Sequence, residues 1–180
     1  MRGVLSTVPV LLVLLAGCTA PDAGGDAPGR TGHPLEGDPL PAYEAVDLEG
    51  DNVSLADHAG RPVLLHVWTS WCTVCEAEEP ALHRLHTAYG DRVDFVSISV
   101  DDARAEDAMR SEAAEGVGAQ WWDPEDRVRP LLGVSYQPVT VFVAADGTVD
   151  AVWQGQRADR TTLRGDEALA RVVLDRIAAA

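Results

Sequence analysis

The chain contains no lysine. All 14 of its strongly basic side chains are arginine, so Schiff-base chemistry and a phosphate-loop lysine are excluded. Positive charge is scarce as well. The arginines face 29 acidic residues, for a formal charge of -15, and so anionic a chain is repelled by nucleic acid and by anionic lipid. Only three cysteines occur among the 180 residues. That is too few for a disulfide-stapled mini-fold or for a four-cysteine zinc or iron–sulfur site. No apolar run reaches the roughly 20 residues of a membrane span; residues Val4 to Leu15 come nearest and are interrupted by Ser6, Thr7 and Pro9. What is present is ordinary globular usage, 46% apolar and 24% charged residues, in a length that suits one domain.

The first segment has the layout of a secretory signal: Met1-Arg2, the short apolar stretch, then Leu15-Ala16-Gly17-Cys18. Small residues directly before a cysteine resemble the bacterial lipobox. That resemblance implies a signal peptide over residues 1–17, lipid on Cys18, and a membrane-anchored lipoprotein on the extracytoplasmic face of the cell membrane. An ordinary cleaved signal ending near a cysteine is the alternative. If Cys18 carries lipid, the two remaining cysteines lie in one motif. Residues 19–41 hold five glycines and five prolines without helical or strand periodicity, so residues 18–41 are expected to be a flexible tether. His33 within it is read as incidental.

A folded domain is expected over residues 42–180. Tyr43 to Leu55 reads as a hairpin turning at Glu49-Gly50-Asp51-Asn52. Pro62 to Thr69 is the apolar run of a strand buried on both faces. Residues 73–89 read as a helix with Ala77, Leu82, Leu85 and Ala88 on its apolar side and Gly90 past its end. A strand over Val93 to Val100, a surface helix over 103–115, a short strand at Trp121-Trp122 and a short helix near 124–132 follow. Val139 to Ala144 and Val149 to Trp153 flank the turn Asp146-Gly147, and 160–178 is the closing helix. Strands alternating with helices predict an α/β fold, a mixed central sheet with helices on both faces.

Trp71-Cys72-Thr73-Val74-Cys75 stands where the buried strand ends and the helix begins. Free N–H groups and the helix dipole stabilise a thiolate at the first cysteine of such a motif, and the second lies one turn on. A C-x-x-C so placed points to thiol–disulfide chemistry. Half of a zinc site is the alternative, but no second pair of ligands is present; His83 and His86 lie turns away on the same helix and read as exposed face.

From this motif outward the chain resembles the thioredoxin superfamily, and within it the TlpA-like membrane-tethered thiol–disulfide oxidoreductases, over roughly residues 42–180. The resemblance rests on Gly60 to Cys75, on Glu78-Glu79-Pro80, and on Val134-Ser135-Tyr136-Gln137-Pro138 leading into Val139 to Val143 and Asp146-Gly147. It implies a thioredoxin-like fold with an extra N-terminal β-hairpin, and an enzyme exchanging a Cys72–Cys75 disulfide. Cys72 would be the exposed attacking thiol, Cys75 the buried resolving thiol and Pro138 a cis proline against the disulfide. Trp71 and Gln137 would meet substrate, and Glu78 matches an acid of many TlpA-like members. Glu79 is read as solvated helix charge. No cofactor is implied. The implied partners are cysteine-containing secreted or membrane proteins, apocytochrome c among them, with a membrane redox partner, and the chain is expected to be a monomer.

Two positions depart from the family pattern: Thr73-Val74 lacks the proline common between the cysteines, and His66 stands where an aspartate or asparagine is usual. Both leave the reducing or oxidising direction open. His66 lies in so apolar a run that burial should lower its pKa; it is read as a base for Cys75 or as a hydrogen-bonded core histidine. Two rival functions are a peroxidase of the peroxiredoxin type and a copper-binding assembly module using Cys72, Cys75 and a histidine. Trp121-Trp122 reads as packing, and Asp101-Asp102 and Asp123, Glu125 and Asp126 as loop and cap acids without a calcium loop.

Overall fold

The computed structural model describes residues 27–155 and 162–179. Cys18 and the signal segment lie outside the described residues. In chain order the elements are β1 (Glu44–Asp47), β2 (Asn52–Ser54), β3 (Val63–Trp68), α1 (Thr73–Tyr89), β4 (Asp94–Ser99), α2 (Glu106–Ala113), β5 (Ala119–Trp122), α3 (Val128–Leu131), β6 (Val139–Val143), β7 (Val149–Gln154) and α4 (Glu167–Ala179). The strands form one mixed sheet in the order β2-β1-β5-β4-β3-β6-β7. β3 pairs in parallel with β4 and antiparallel with β6, and β1–β2 is an antiparallel hairpin at the far edge. Every residue of β3 is buried, as a central strand covered on both faces requires.

Pleating sends alternate residues to opposite faces. Val63, Leu65 and Val67 join Val96, Ile98, Val139 and Val141 in one core. Leu64, Phe95 and Phe142 face the other way, against Leu82 and Leu85 of α1 and Val173 and Leu174 of α4. At the head of α1 a third cluster packs Trp68, Cys72 and Cys75 against Met109 and Ala113 of α2. The expected surface helix over 103–115 is therefore a 3-10 turn (Ala103–Ala105) followed by α2, whose inner side is buried. The closing helix begins at Glu167 instead of 160, preceded by a turn in which Leu163 is buried. The buried stripe of α1 is Cys75, Glu78, Ala81, Leu82, Leu85 and Tyr89; Ala88 is exposed. Glutamate in a core register hides the true stripe from a hydropathy reading.

Residues 27–41, read as tether, lie along the edge strand β7. Gly37 N–H donates to Val149 O at 2.8 Å, Val149 N–H to Asp38 O at 2.9 Å, and Leu40 N–H to Gly147 O at 2.8 Å. The Glu36 carboxylate accepts from the backbone of Thr31, Gly32 and Val152, and Trp153 Nε1 donates to Gly29 O. Leu35 and Leu40 pack on the core. The segment satisfies backbone groups that an edge strand would otherwise expose, a long-range pairing with no local periodicity to announce it.

Candidate active site

α1 starts at the C-terminal end of β3, and Cys72 is its N-cap. The Cys75 backbone N–H donates to Cys72 Sγ at 3.1 Å, the bond an N-cap side chain accepts from the third helical residue. The two cysteines form a disulfide with Cα atoms 5.2 Å apart. On reduction, the same N–H and the helix dipole favour negative charge at Cys72, whereas Cys75 sits inside the first turn against the core, where burial disfavours it. Trp71 is 67% exposed, but Cys72 is only 5% exposed, against 2% for Cys75. The expectation of an exposed Cys72 is corrected: in the disulfide state its sulfur is turned toward Cys75 and under α2. Both cysteines line a groove with Ser70, Glu76, Glu79, His83, Glu112, Glu115 and Gln120.

Two polar clamps hold the loop ahead of Cys72. Ser70 donates to the buried Asp101 carboxylate through its N–H at 2.7 Å and its hydroxyl at 3.0 Å. Asp101 is also held by the Ser99 hydroxyl at 2.9 Å. On the other side the Gln137 Nε2 donates to Thr69 Oγ1 at 3.2 Å. Gln137 immediately precedes Pro138, and the bond between them is cis. Gly155 lies against Pro138, where a Cβ would come within 2.6 Å of the proline ring. A side chain at position 155 would push the proline loop away.

His66 and Glu78 are buried behind this loop. His66 shares the β3 face of Leu64 and Trp68; its Nδ1 stands 3.4 Å from Thr140 Oγ1. Burial lowers its pKa from 6.5 to about 4. Glu78 Oε1 accepts from the Leu163 N–H at 3.2 Å. Desolvation raises Glu78 from 4.5 to about 7, against the lowering effect of that hydrogen bond. His66 Nε2 and Glu78 Oε2 have no hydrogen-bond partner among the described residues. Glu79, read as solvated, is half-buried in the groove, and its pKa is raised by desolvation, with His83 lowering it and Glu112 raising it. His83 reaches Glu115 O, and His86 packs edge-on against Phe95. Among the described residues no three His, Cys, Asp or Glu side chains come together as a metal site.

The chain matches the AhpC/TSA family over residues 36–152. It belongs to that family. Among its relatives, the thiol:disulfide interchange protein DsbE of Xylella fastidiosa is 31% identical over 153 residues, covering 83% of this chain and 74% of that protein. The thiol-disulfide oxidoreductase ResA of Oceanobacillus iheyensis is 25% identical over 127 residues, 66% of this chain and 65% of that one. A secreted Mycobacterium tuberculosis disulfide oxidoreductase homologous to E. coli DsbE superposes with a TM-score of 0.59 at 29% identity, covering 72% of this chain and 93% of that structure. The thioredoxin domain of a Bacteroides vulgatus thiol-disulfide oxidoreductase superposes with a TM-score of 0.62 at 24% identity, covering 77% and 97%. This AhpC/TSA member thus has the thioredoxin-like fold and is a thiol–disulfide oxidoreductase, in accord with the TlpA-like resemblance.

Of the residues singled out in the sequence, the fold gathers Trp71, Cys72, Cys75, Gln137 and Pro138 at one end of the sheet and buries His66 and Glu78 behind them. The sequence gives no sign of the roles of Thr69, Ser70 and Arg129, and Asp101, expected as a loop acid, is the buried acceptor that holds Ser70. Their partners lie up to 68 residues away, and no local pattern marks them.

Proposed function

We propose that this oxidoreductase is a lipid-anchored extracytoplasmic enzyme that exchanges the Cys72–Cys75 disulfide with cysteines of secreted or membrane proteins. Apocytochrome c is one substrate that the TlpA-like resemblance implies. The observation that carries the reading is Cys72 as N-cap of α1 with the Cys75 N–H on its sulfur. In the reducing direction the Cys72 thiolate attacks a substrate disulfide, a mixed disulfide forms and one substrate thiolate leaves. Cys75 then loses its proton and attacks Cys72, the Cys72–Cys75 bond forms, and the second substrate thiolate leaves with the electron pair. Oxidation of a substrate dithiol runs through the same mixed disulfide in reverse.

In this reading His66 takes the Cys75 proton through Nε2, and Glu78 adjusts the thiols from the same buried layer; both His66 Nε2 and Glu78 Oε2 lack a hydrogen-bond partner among the described residues. Pro138 and the backbone of Gln137, ahead of the first paired residue of β6, receive an extended substrate segment, and Trp71 covers it. Lipid on Cys18 keeps the enzyme at the membrane beside a membrane redox partner. Among the described residues no helix is long and apolar enough to span a bilayer.

Mass spectrometry of the membrane fraction tests the anchor: a diacylglyceryl Cys18 at a new N-terminus supports it, and an unmodified Cys18 removes it. A disulfide-exchange assay tests the activity alongside peroxide consumption; turnover of peroxide without thiol exchange favours the peroxidase reading instead.

A further inference from the structure

Arg129 lies outside the cysteine loop and the proline loop, on the short helix α3, yet it holds the segment that ends at Pro138. Its backbone carbonyl accepts the Val134 N–H at 3.0 Å. Its Nη1 donates to Gln137 Oε1 at 2.7 Å and reaches Ser135 O at 3.5 Å. The guanidinium is itself fixed by Asp126, through Nε to Oδ1 at 2.7 Å and a second bond from Nη2 to Oδ2. Arginine can only donate, so the Gln137 amide must turn its oxygen toward Arg129 and its nitrogen toward Thr69. Gln137 is 3% exposed, which leaves that orientation without competition from water. The Thr69 carbonyl in turn accepts the Cys72 N–H at 3.1 Å. A continuous chain of polar contacts therefore runs from the Asp126–Arg129 ion pair through Gln137 and Thr69 to the backbone of Cys72.

We infer that Arg129 is a positioning residue for polypeptide substrates: it fixes the spacing between the Gln137–Pro138 loop and the Cys72 loop, the two edges a substrate segment must touch at once. The inference rests on the proposed thiol–disulfide exchange and names a residue that reading did not use. Arg129 touches neither sulfur. A small thiol needs only access to the disulfide, whereas an extended peptide needs its backbone on the proline loop while its cysteine meets Cys72. Losing the register between the loops therefore slows peptides and spares small thiols, because misplacing one contact costs most where two must be made together.

The test compares the full-length protein in detergent with Arg129→Met, which keeps the stem and removes the donors. Each is assayed, once reduced, against a synthetic peptide closed by one disulfide and, once oxidised, against dithiothreitol. The variant should lose about tenfold in the second-order rate with the peptide, the size of one charge-assisted hydrogen bond. Its rate with dithiothreitol and its reduction potential should stay at the wild-type values. Gln137→Met should show a similar loss with the peptide, and the double variant no larger a loss than either single one, since both break one chain. Should Arg129→Met fold poorly, Asp126→Asn loosens the same guanidinium and should show the same selectivity. Equal losses with peptide and dithiothreitol, no loss with the peptide, or additive losses in the double variant would overturn the inference. A wild-type protein inert toward both reagents would overturn the exchange reading itself, and this inference with it.

Discussion

Along β3 the odd-numbered residues Val63, Leu65 and Val67 enter a core of aliphatic and aromatic side chains. The even-numbered Leu64, His66 and Trp68 face the α1 layer, which also buries Glu78 and Thr140. One strand thus serves two interiors of different composition. On the first face the buried side chains are apolar and gain by leaving water, apart from the buried hydroxyl of Tyr43. On the second, a histidine and a glutamate are kept out of water, each with one polar atom unpartnered among the described residues, at a cost in stability. The costly face is the one behind the cysteines. Buried titratable groups of this kind cluster where chemistry is done, and the apolar face offsets what they cost.

The sharpest way to break the comparison is a cavity on the apolar face. Leu65→Ala, at a fully buried position, should cost about 3 kcal/mol in urea unfolding while leaving the exchange rate of the folded fraction unchanged. A rate that fell with it would mean that the faces are not separable.

The polar face should answer to pH instead. Glu78 titrates near 7 in the fold and near 4.5 unfolded; between those values the folded state keeps a proton that the unfolded state has released, so its contribution falls as pH rises. His66 titrates near 4 in the fold and near 6.5 unfolded; between those values the unfolded state takes a proton that the folded state refuses, so its contribution falls as pH drops. Over the shared range the two slopes oppose and nearly cancel. Glu78→Gln should uncover stability that rises from pH 4 to 6.5, and His66→Asn stability that falls from pH 4.5 to 7. Each should change by about 3 kcal/mol across its window, read from urea midpoints. A wild-type profile as steep as either variant's would contradict the pairing of these two groups.

A smaller effect is expected from the clamp on the cysteine loop. Asp101→Asn keeps the shape but replaces one accepting oxygen with a donor that faces Ser70 or Ser99. It should cost about 1 to 2 kcal/mol and slow exchange through a loosened Ser70. The smallest expected effect is on the exposed Asp102–Arg104 pair, where Arg104→Ala should leave both midpoint and rate unchanged.

The contrast also explains what could be read in the sequence. β3, α1 and the cysteine pair were legible because a central strand writes an apolar run, interrupted here only by His66, and a redox motif sits at a fixed place after it. The lowered pKa of His66 follows from the same run. The Ser70–Asp101 and Arg129–Gln137–Thr69 contacts were not legible, since each joins polar residues whose types are ordinary for loops and whose partners are set only by the fold. Within the expected tether 18–41, the pairing of residues 37–40 along β7 leaves no mark in the sequence, because backbone pairing needs no side-chain pattern, and glycines and prolines suit an edge segment as well as a free linker. Glu78 was legible as a position but not as a buried acid, because its neighbour Glu79 has the same sequence signature and lines the groove.

The central claim is that Cys72 attacks and Cys75 resolves. Incubating the Cys75→Ser protein, with Cys72 reduced, against a disulfide-bonded polypeptide and sequencing the trapped adduct by mass spectrometry tests it directly. The account predicts a mixed disulfide on Cys72 that accumulates because nothing resolves it, and no comparable adduct on Cys75 when Cys72→Ser is treated alike. An adduct that forms faster on Cys75 of the Cys72→Ser protein would contradict it.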